Sequence, residues 1–372
     1  MTLSCEVLVI GGGPAGSSCA RELRRLGIDC HLLDQRAFPR DKVCAGWVTP
    51  RVFQSLDLDP DDYAAAGNVL QPIRGFRTGL IGGGAREFDY PGVVSYGIRR
   101  REFDHFLLRR AGVPLHLGRP VRGIERTRGG WRVNGEWEAR VLVGAGGHAC
   151  PVARHLGAVM GSRVPVVAAR EAELRLPAET WRTLPVAGER PELYFSRDLR
   201  GYGWIFRKGD FINVGLGLEP GRDLKEWLAE FSAWLEDTGR LPRLEAKAFK
   251  GHAYLLHGRG GRPPVSDGAL LVGDALGLAW PQSGEGIGPA VESGMLAAEA
   301  IAAAGGDYRA ARLMTYAERL RDRFGAPRPL HLPPVVKSAL AAVLLGSARL
   351  TRSLVMDRWF LHRRGRGLSG SR

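Results

Sequence analysis

Apolar positions change their spacing several times along this chain, and each change marks an element. Residues 7–10 are an unbroken apolar run, the signature of a buried strand. Gly11-Gly12-Gly13-Pro14-Ala15-Gly16 follows, then helical spacing over 17–26, then a second strand over 28–34 that closes on Asp34. Residues 38–47 are polar and broken by Gly and Pro, so they read as a loop, and 49–56 as a short helix. Residues 57–62 are acidic and turn-like, a candidate domain crossing. Short strands are expected at 69–76, 85–89 and 93–98. An amphipathic helix over 100–111 sets Phe103, Phe106, Leu107 and Arg110 at helical spacing. Residues 121–127 and 131–133 alternate like a hairpin, and 139–143 is a further buried strand. A β-rich stretch follows, with strands at 166–173, 192–196, 204–207 and 211–218, then a helix over 224–235. A strand at 269–272 precedes a small-residue helix over 286–304 and another over 308–324. Past a proline-rich break at 326–334 comes an apolar and basic helix pair. No internal repeat is evident.

Composition narrows this picture little. At 372 residues with 44% apolar and 25% charged positions, the chain is globular and large enough for more than one domain. The net charge of +14 comes mostly from Arg and is densest at the C-terminus. Charge alone admits nucleic acid, anionic lipid or phosphorylated substrates as partners, or no electrostatic purpose. The five cysteines, Cys5, Cys19, Cys30, Cys44 and Cys150, include no Cys-x-x-Cys pair and are odd in number, which suits free thiols in a reducing cytoplasm. The chain enters a strand within a few residues, leaving no room for a signal peptide. No apolar run reaches the ~18 residues of a spanning helix. His148, His252 and His257 are isolated, so no metal site is assigned.

The first glycine cluster carries the chemistry. In a strand–turn–helix, Gly11 permits the tight turn, Gly13 lets backbone approach a pyrophosphate, and Gly16 lets helix and strand pack closely. The helix N-terminus offers free N–H groups to the phosphates. Asp34, about 20 residues on, is placed to accept ribose hydroxyls. The alternative is an ordinary βαβ crossover with a glycine-rich turn. Gly144-Ala145-Gly146-Gly147 ends another strand. It reads either as a second fingerprint, with Glu171 as its acid, or as a turn touching the first dinucleotide. In Gly273-Asp274 a strand ends where a carboxylate can bond a ribitol or ribose hydroxyl. The glycine-rich Ser283-Gly284-Glu285-Gly286-Ile287 then opens a helix whose N–H groups can face a flavin carbonyl.

The fold expected is α/β. A Rossmann-type dinucleotide domain (1–60, 99–160 and 262–325) is interrupted by a β-rich substrate domain (61–98 and 161–261), and a helical, basic segment (326–372) ends the chain. That layout suits a flavoprotein whose second domain covers the isoalloxazine.

Taken together, Gly11–Gly16, Arg100-x-x-Phe103-Asp104 and Gly273-Asp274 resemble the flavin-dependent superfamily with the para-hydroxybenzoate hydroxylase fold. Within it, the sequence Tyr202-Gly203-Trp204-Ile205-Phe206, followed by Gly215-Leu216-Gly217, looks like the substrate motif of the geranylgeranyl reductase family. Pro281-x-x-Gly284-Glu285-Gly286-Ile287 and Lys42-Val43-Cys44-Ala45-Gly46 are similar to that family too. Arg207 and Ala45 depart from its usual Pro and Gly, and Gly146 stands where the wider superfamily often has Asp. The resemblance implies FAD, with Gly11, Gly13, Pro14, Ala15, Gly16, Asp34, Gln35 and Arg36 around the adenosine diphosphate. It also places Arg100, Gly144, Ala145, Gly146, Gly273 and Asp274 along the cofactor, and Cys44, Ala45, Gly284, Gly286 and Ile287 beside the flavin. NAD(P)H or another reductant is the implied electron donor.

Reducing an unactivated prenyl alkene needs a hydride, a proton donor and walls that tolerate positive charge. Tyr202, Trp204 and Phe206 alternate along one strand and share a face, either such a wall or a plain core strand. Cys44 is the candidate catalytic residue, a proton donor or gate, unless it is an inert thiol. Lys42 reads as a flavin or diphosphate contact or a surface lysine, and Glu285 as a cap. The expected function is FAD-dependent reduction of C=C bonds in an isoprenoid or related lipid, with no nucleic-acid partner. The rivals are a monooxygenase of an aromatic or polyketide-like molecule and a non-enzymatic flavin- or lipid-binding protein at a membrane. The Trp-x-Trp-x-Ile-Pro motif of flavin halogenases is absent. Residues 335–366 combine apolar positions with Lys337, Arg349, Arg352, Arg358, Arg363, Arg364 and Arg366. They read as an interfacial helix on anionic lipid or as a lid on the enzyme's own β-rich domain.

Overall fold

The computed structural model describes residues 2–158, 166–221, 223–242, 244–326 and 333–363. The junction expected at 160–161, most of the break at 326–334, and Arg364 and Arg366 lie outside the described residues.

Strand Leu3–Ile10 sits centrally in the first sheet, and its Val7, Leu8 and Val9 are fully buried because both sheet faces are covered. It pairs in parallel with Cys30–Asp34 on one side and Trp137–Gly144 on the other. Leu115–Leu117 and Ala269–Leu271 extend the sheet, both in parallel. Strands from distant parts of the chain therefore end along one edge. That edge gathers Gly11, Asp34, the Gly144–Gly146 turn and Gly273, the crevice where open α/β sheets bind ligands. Helix Pro14–Arg25 packs against this sheet and closely against helix Ile287–Ala303. A Cβ on Gly294 would lie 2.2 Å from the Ala15 carbonyl oxygen, which explains the small residues in the second helix.

The second sheet has seven strands in the order Lys250–Tyr254, Val167–Arg175, Phe211–Leu218, Gly201–Lys208, Glu192–Phe195, Gly75–Leu80, Ala85–Asp89. All its pairings are antiparallel except Glu192–Phe195 with Gly75–Leu80. Alternation divides its residues between two cores. Tyr194, Ile205, Ile212, Val214 and Leu216 face helix Leu224–Asp237, while Leu193, Phe195, Trp204 and Phe206 face the other way. A separate three-stranded sheet has the order Trp47–Val48, Ser95–Ile98, Leu70–Ile73.

Several details differ from the sequence reading. The acidic stretch at 57–62 is not only a turn: Asp59 accepts the Asp61 N–H at 2.7 Å and starts helix Pro60–Ala65. The loop at 38–47 ends in a two-residue strand that pairs with Ser95–Ile98. Leu115–Leu117 and Lys250–Tyr254 are unforeseen strands, one too short and the other too polar to show an alternating signal. Glu171 lies in the second sheet, so no second βαβ unit follows Gly144. The reading of a second fingerprint with Glu171 as its acid therefore fails.

The C-terminal segment forms Pro334–Gly346 and, after a 97° bend, a wide helical turn through Phe360. Leu344, Leu345, Val355, Met356, Phe360 and Leu361 are buried against the second sheet, which is the lid arrangement. Val335, Val336, Leu340 and Val343 remain exposed, Val335 by 80%. Among the described residues no single helix is long and apolar enough to cross a membrane.

Candidate active site

A cavity of about 820 Å³ runs from the carboxyl edge of the parallel sheet to the second sheet. At its first end the backbone does most of the work. Gly11 has φ +119°, and a Cβ there would lie 2.3 Å from the Ala145 oxygen, so the first and second glycine clusters touch. A Cβ on Gly16 would lie 1.8 Å from the Gly11 oxygen. On Gly13 it would meet only the Arg40 guanidinium, at 3.5 Å, so this glycine opens toward the cavity. Helix Pro14–Arg25 has no side-chain cap and no acid in its first turn. Open glycine, uncapped N–H groups and a nearby arginine fit a pyrophosphate. Asp34 is 8% exposed, and its carboxylate accepts the N–H groups of Gly12 at 2.6 Å and Arg36 at 2.7 Å.

Further along lie Arg100, Lys42, His252 and Asp274. Arg100 is buried and forks onto Asp104 at 2.7 and 2.8 Å, which Arg40 also meets at 3.1 Å. The Lys42 ammonium is 2.6 Å from His252 Nε2, itself 3.9 Å from Asp274. Burial brings Lys42 down to about 8. Burial alone would raise the Asp274 carboxyl, but His252 and Lys42 hold it below the usual range. The Cys44 sulfur accepts the Gly46 N–H at 3.3 Å and lies beside the Arg100 guanidinium.

The far end is aromatic. Trp47, Tyr202, Trp204, Tyr254 and Phe360 line it. Phe360 stacks on Trp47 at 5.2 Å and meets Tyr202 edge-on at 5.4 Å. The Tyr202 hydroxyl donates to the Ser283 carbonyl at 2.5 Å, tying the second sheet to the loop before helix Ile287–Ala303. Trp204 lies flat on its neighbouring strand because residue 215 is glycine: a Cβ there would be 2.3 Å from the indole.

Most of the site residues expected from sequence meet in this one cavity. Gly11, Gly13, Pro14, Ala15, Asp34, Gln35, Arg36, Cys44, Ala45, Arg100, Ala145, Gly146, Tyr202, Trp204, Asp274, Gly284, Gly286 and Ile287 all line it. Gly16, Gly144 and Gly273 pack beneath it instead. Phe206 shares the face of Trp204 but is 1% exposed, packed 5.7 Å from Trp47 and away from the cavity. Gly215 and Gly217 do not line the cavity; Gly215 acts through the Trp204 ring. Glu285 accepts the Gly288 N–H at 2.6 Å and also that of Ile287. It therefore takes up helix N–H groups that the sequence reading left for a flavin carbonyl. Burial pushes this carboxyl up to about 7. His252, Tyr254 and Phe360 were missed. His252 and Tyr254 stand at alternate positions of an unforeseen strand, and Phe360 lies far from any motif.

Residues 4–58 match a family model described as an FAD binding domain. A menaquinone reductase of Mycobacterium tuberculosis is 30% identical over 352 residues, 87% of this chain and 81% of the relative. This chain belongs to the geranylgeranyl reductase family. A geranylgeranyl diphosphate reductase of Rhodobacter capsulatus is 29% identical over 324 residues, 80% of this chain and 75% of that one. In fold, the chain matches a geranylgeranyl bacteriochlorophyll reductase-like protein of Thermoplasma acidophilum (TM-score 0.72, 21% identity, 98% and 99% coverage). It also matches a probable FAD-dependent monooxygenase of Pseudomonas aeruginosa (TM-score 0.64, 19% identity, 95% and 99% coverage). Membership of the geranylgeranyl reductase family makes the protein an FAD-dependent oxidoreductase and accounts for the glycine-lined cradle.

Proposed function

We propose that this protein reduces C=C bonds of an isoprenoid or related lipid. The observation that carries the reading is the aromatic box of Trp47, Tyr202, Trp204 and Phe360 lining one cavity together with Cys44. When bound, FAD supplies the hydride, after reduction by NAD(P)H or another reductant. Gly11 and Gly13, with the N–H groups of the first helix that Gly16 lets pack close, would hold the cofactor's pyrophosphate, and Asp34 would hold its ribose. Arg100 and Asp274 would meet the ribityl and phosphate groups, and Lys42 would steady them. The aromatic rings exclude water, and their faces tolerate positive charge developing on the alkene. Cys44 gives the proton to the second carbon. The Gly46 N–H and the Arg100 guanidinium remain to stabilise the negative sulfur.

The decisive experiment reduces the enzyme anaerobically and mixes it with prenyl lipid or with oxygen. Flavin reoxidation driven by the alkene, with a saturated product by mass spectrometry, is the expected result. Reoxidation by oxygen alone, with a hydroxylated small molecule, would place the protein with the monooxygenases. Flavin and lipid binding with neither reaction would leave a carrier.

The C-terminal segment serves as lid and lipid contact together. Its inner face closes the aromatic box through Phe360. Its outer face exposes Val335, Val336, Leu340 and Val343, with the exposed Arg349, Arg352 and Arg358 further along the segment. That combination fits the cytoplasmic face of an anionic membrane, where a water-insoluble substrate resides. Co-sedimentation with vesicles should require anionic lipid and weaken with salt. Val335→Asp/Val343→Asp should abolish it with FAD still bound; unchanged sedimentation would leave the segment as a lid only.

A further inference from the structure

The strand Val167–Arg175 and its neighbours hold a buried polar cluster that the proposed reaction leaves unused. Glu171 is 8% exposed, and Asn213 is fully buried. The Asn213 amide donates to Glu171 Oε2 at 2.6 Å and to the Cys44 carbonyl at 3.2 Å. Its own oxygen accepts the Trp204 indole N–H at 2.8 Å, and because an indole only donates, this bond fixes which way the amide points. Glu171 in turn accepts the backbone N–H of Cys44. One carboxylate and one amide thus grip the N–H and the C=O of Cys44 and the ring of Trp204. Buried polar groups are unfavourable unless fully bonded, and apolar side chains would fill the same space with less cost. Packing alone therefore does not account for this pair.

We propose that Glu171 and Asn213 are positioning residues that hold the Cys44 thiol and the Trp204 ring in one fixed relation at the cavity wall. The inference rests on the reading that Cys44 and Trp204 face a common substrate. Its physical basis is the loop itself: residues 38–46 belong to no strand and Gly46 alone meets a strand, accepting the Ile98 N–H at 2.7 Å, so at Cys44 side-chain bonds supply the restraint that a ladder would otherwise give.

The grip is sensitive to pH. Burial pushes the Glu171 carboxyl up to about 7, against the opposing pull of Lys208 and Asn213. The charged groups around it are Lys208 from Gly201–Lys208 and Glu173 from its own strand, which are paired at 2.9 Å. Arg99 meets Glu173 at 3.1 Å, and Lys250, opposite Glu171 in register, is paired with Asp41 at 2.8 Å. A protonated Glu171 turns one oxygen into a donor. That oxygen then opposes the N–H it faced, while the other still accepts, so one of the two bonds to Cys44 and Asn213 is lost and the hold on the loop loosens.

Cys44 is the one cysteine of the five that is not buried, so alkylation of the full-length, FAD-loaded protein reports on it. Iodoacetamide labelling, followed by mass spectrometry between pH 5.5 and 9, should show a step near neutrality besides thiol ionisation. Glu171→Gln should remove that step. Asn213→Ala should speed labelling severalfold at every pH, and Cys44→Ala should abolish it. Should Asn213→Ala fail to fold, judged by FAD content and melting, Glu171→Gln still decides the matter. A step that persists in Glu171→Gln, with wild-type labelling rates, would overturn the proposal. The readout needs no lipid: expected labelling without turnover of any prenyl lipid would keep the clamp and sink the reductase reading.

Discussion

At the carboxyl edge of Leu3–Ile10 the cavity wall is largely backbone, from Gly11, Gly13, Ala145 and Gly146. Across the cavity, Gly201–Lys208 and Lys250–Tyr254 present side chains instead: Tyr202, Trp204, His252 and Tyr254. The first region recognises by letting peptide N–H groups come close, so what matters is the absence of side chains and the direction of a helix. The second recognises by shape and ring faces, so what matters is which side chains the sheet brings together. One consequence is tolerance. A cradle of glycines admits almost no substitution, whereas an aromatic wall can be recut one side chain at a time.

Four substitutions would break or sharpen this contrast. The largest effect is expected at Gly16→Ala, whose methyl would sit 1.8 Å from the Gly11 oxygen. It should abolish FAD binding and soluble folded protein together, seen as loss of flavin absorbance and of a cooperative melt. Next, Trp204→Ala removes a ring that is 5% exposed. It should cost about 3–5 kcal/mol of stability in urea unfolding and lower lipid turnover far more than FAD affinity. Loss of FAD with turnover per bound flavin unchanged would erase the distinction between the two regions. Third, Asp34→Ala deletes a charged acceptor and should weaken FAD binding by roughly 1.5–3 kcal/mol in a fluorescence titration, with little change in turnover at saturating cofactor.

The smallest effect concerns Glu285, whose carboxyl burial raises to about 7 from 4.5. A raised carboxyl favours the folded state fully below its unfolded pKa, and that contribution is lost as pH rises through about 7. Glu285→Gln should therefore flatten the fall in melting temperature between about pH 5 and 8. A wild-type slope in the variant would contradict the assignment.

How much was legible depended on how local the cause is. Gly11, Gly13, Gly16 and Asp34 lie within one βαβ unit, and each has a geometric reason visible at short range. Asp274 was legible because Gly273 marks a strand end before a helix. Tyr202 and Trp204 could be placed on one face by alternation, but alternation could not say where that face ends. Phe206, two residues on, packs against Trp47 and leaves the cavity. In sequence, Glu171 reads as a candidate ribose acid because a strand follows the second glycine cluster. Only the sheet to which that strand belongs excluded this.

The sequence by itself determined the dinucleotide cradle, the α/β class and the family, because backbone turns and strand–helix periods are short-range properties. Tertiary structure alone decided that Phe360, from the far end of the chain, closes the aromatic box. It also decided that Asn213 and Glu171 grip Cys44, and that Gly215 exists to seat Trp204. Each of these is a contact between segments distant in sequence. Such contacts are set by how two sheets and a C-terminal helix pack, and packing leaves no periodic trace in the chain that carries it.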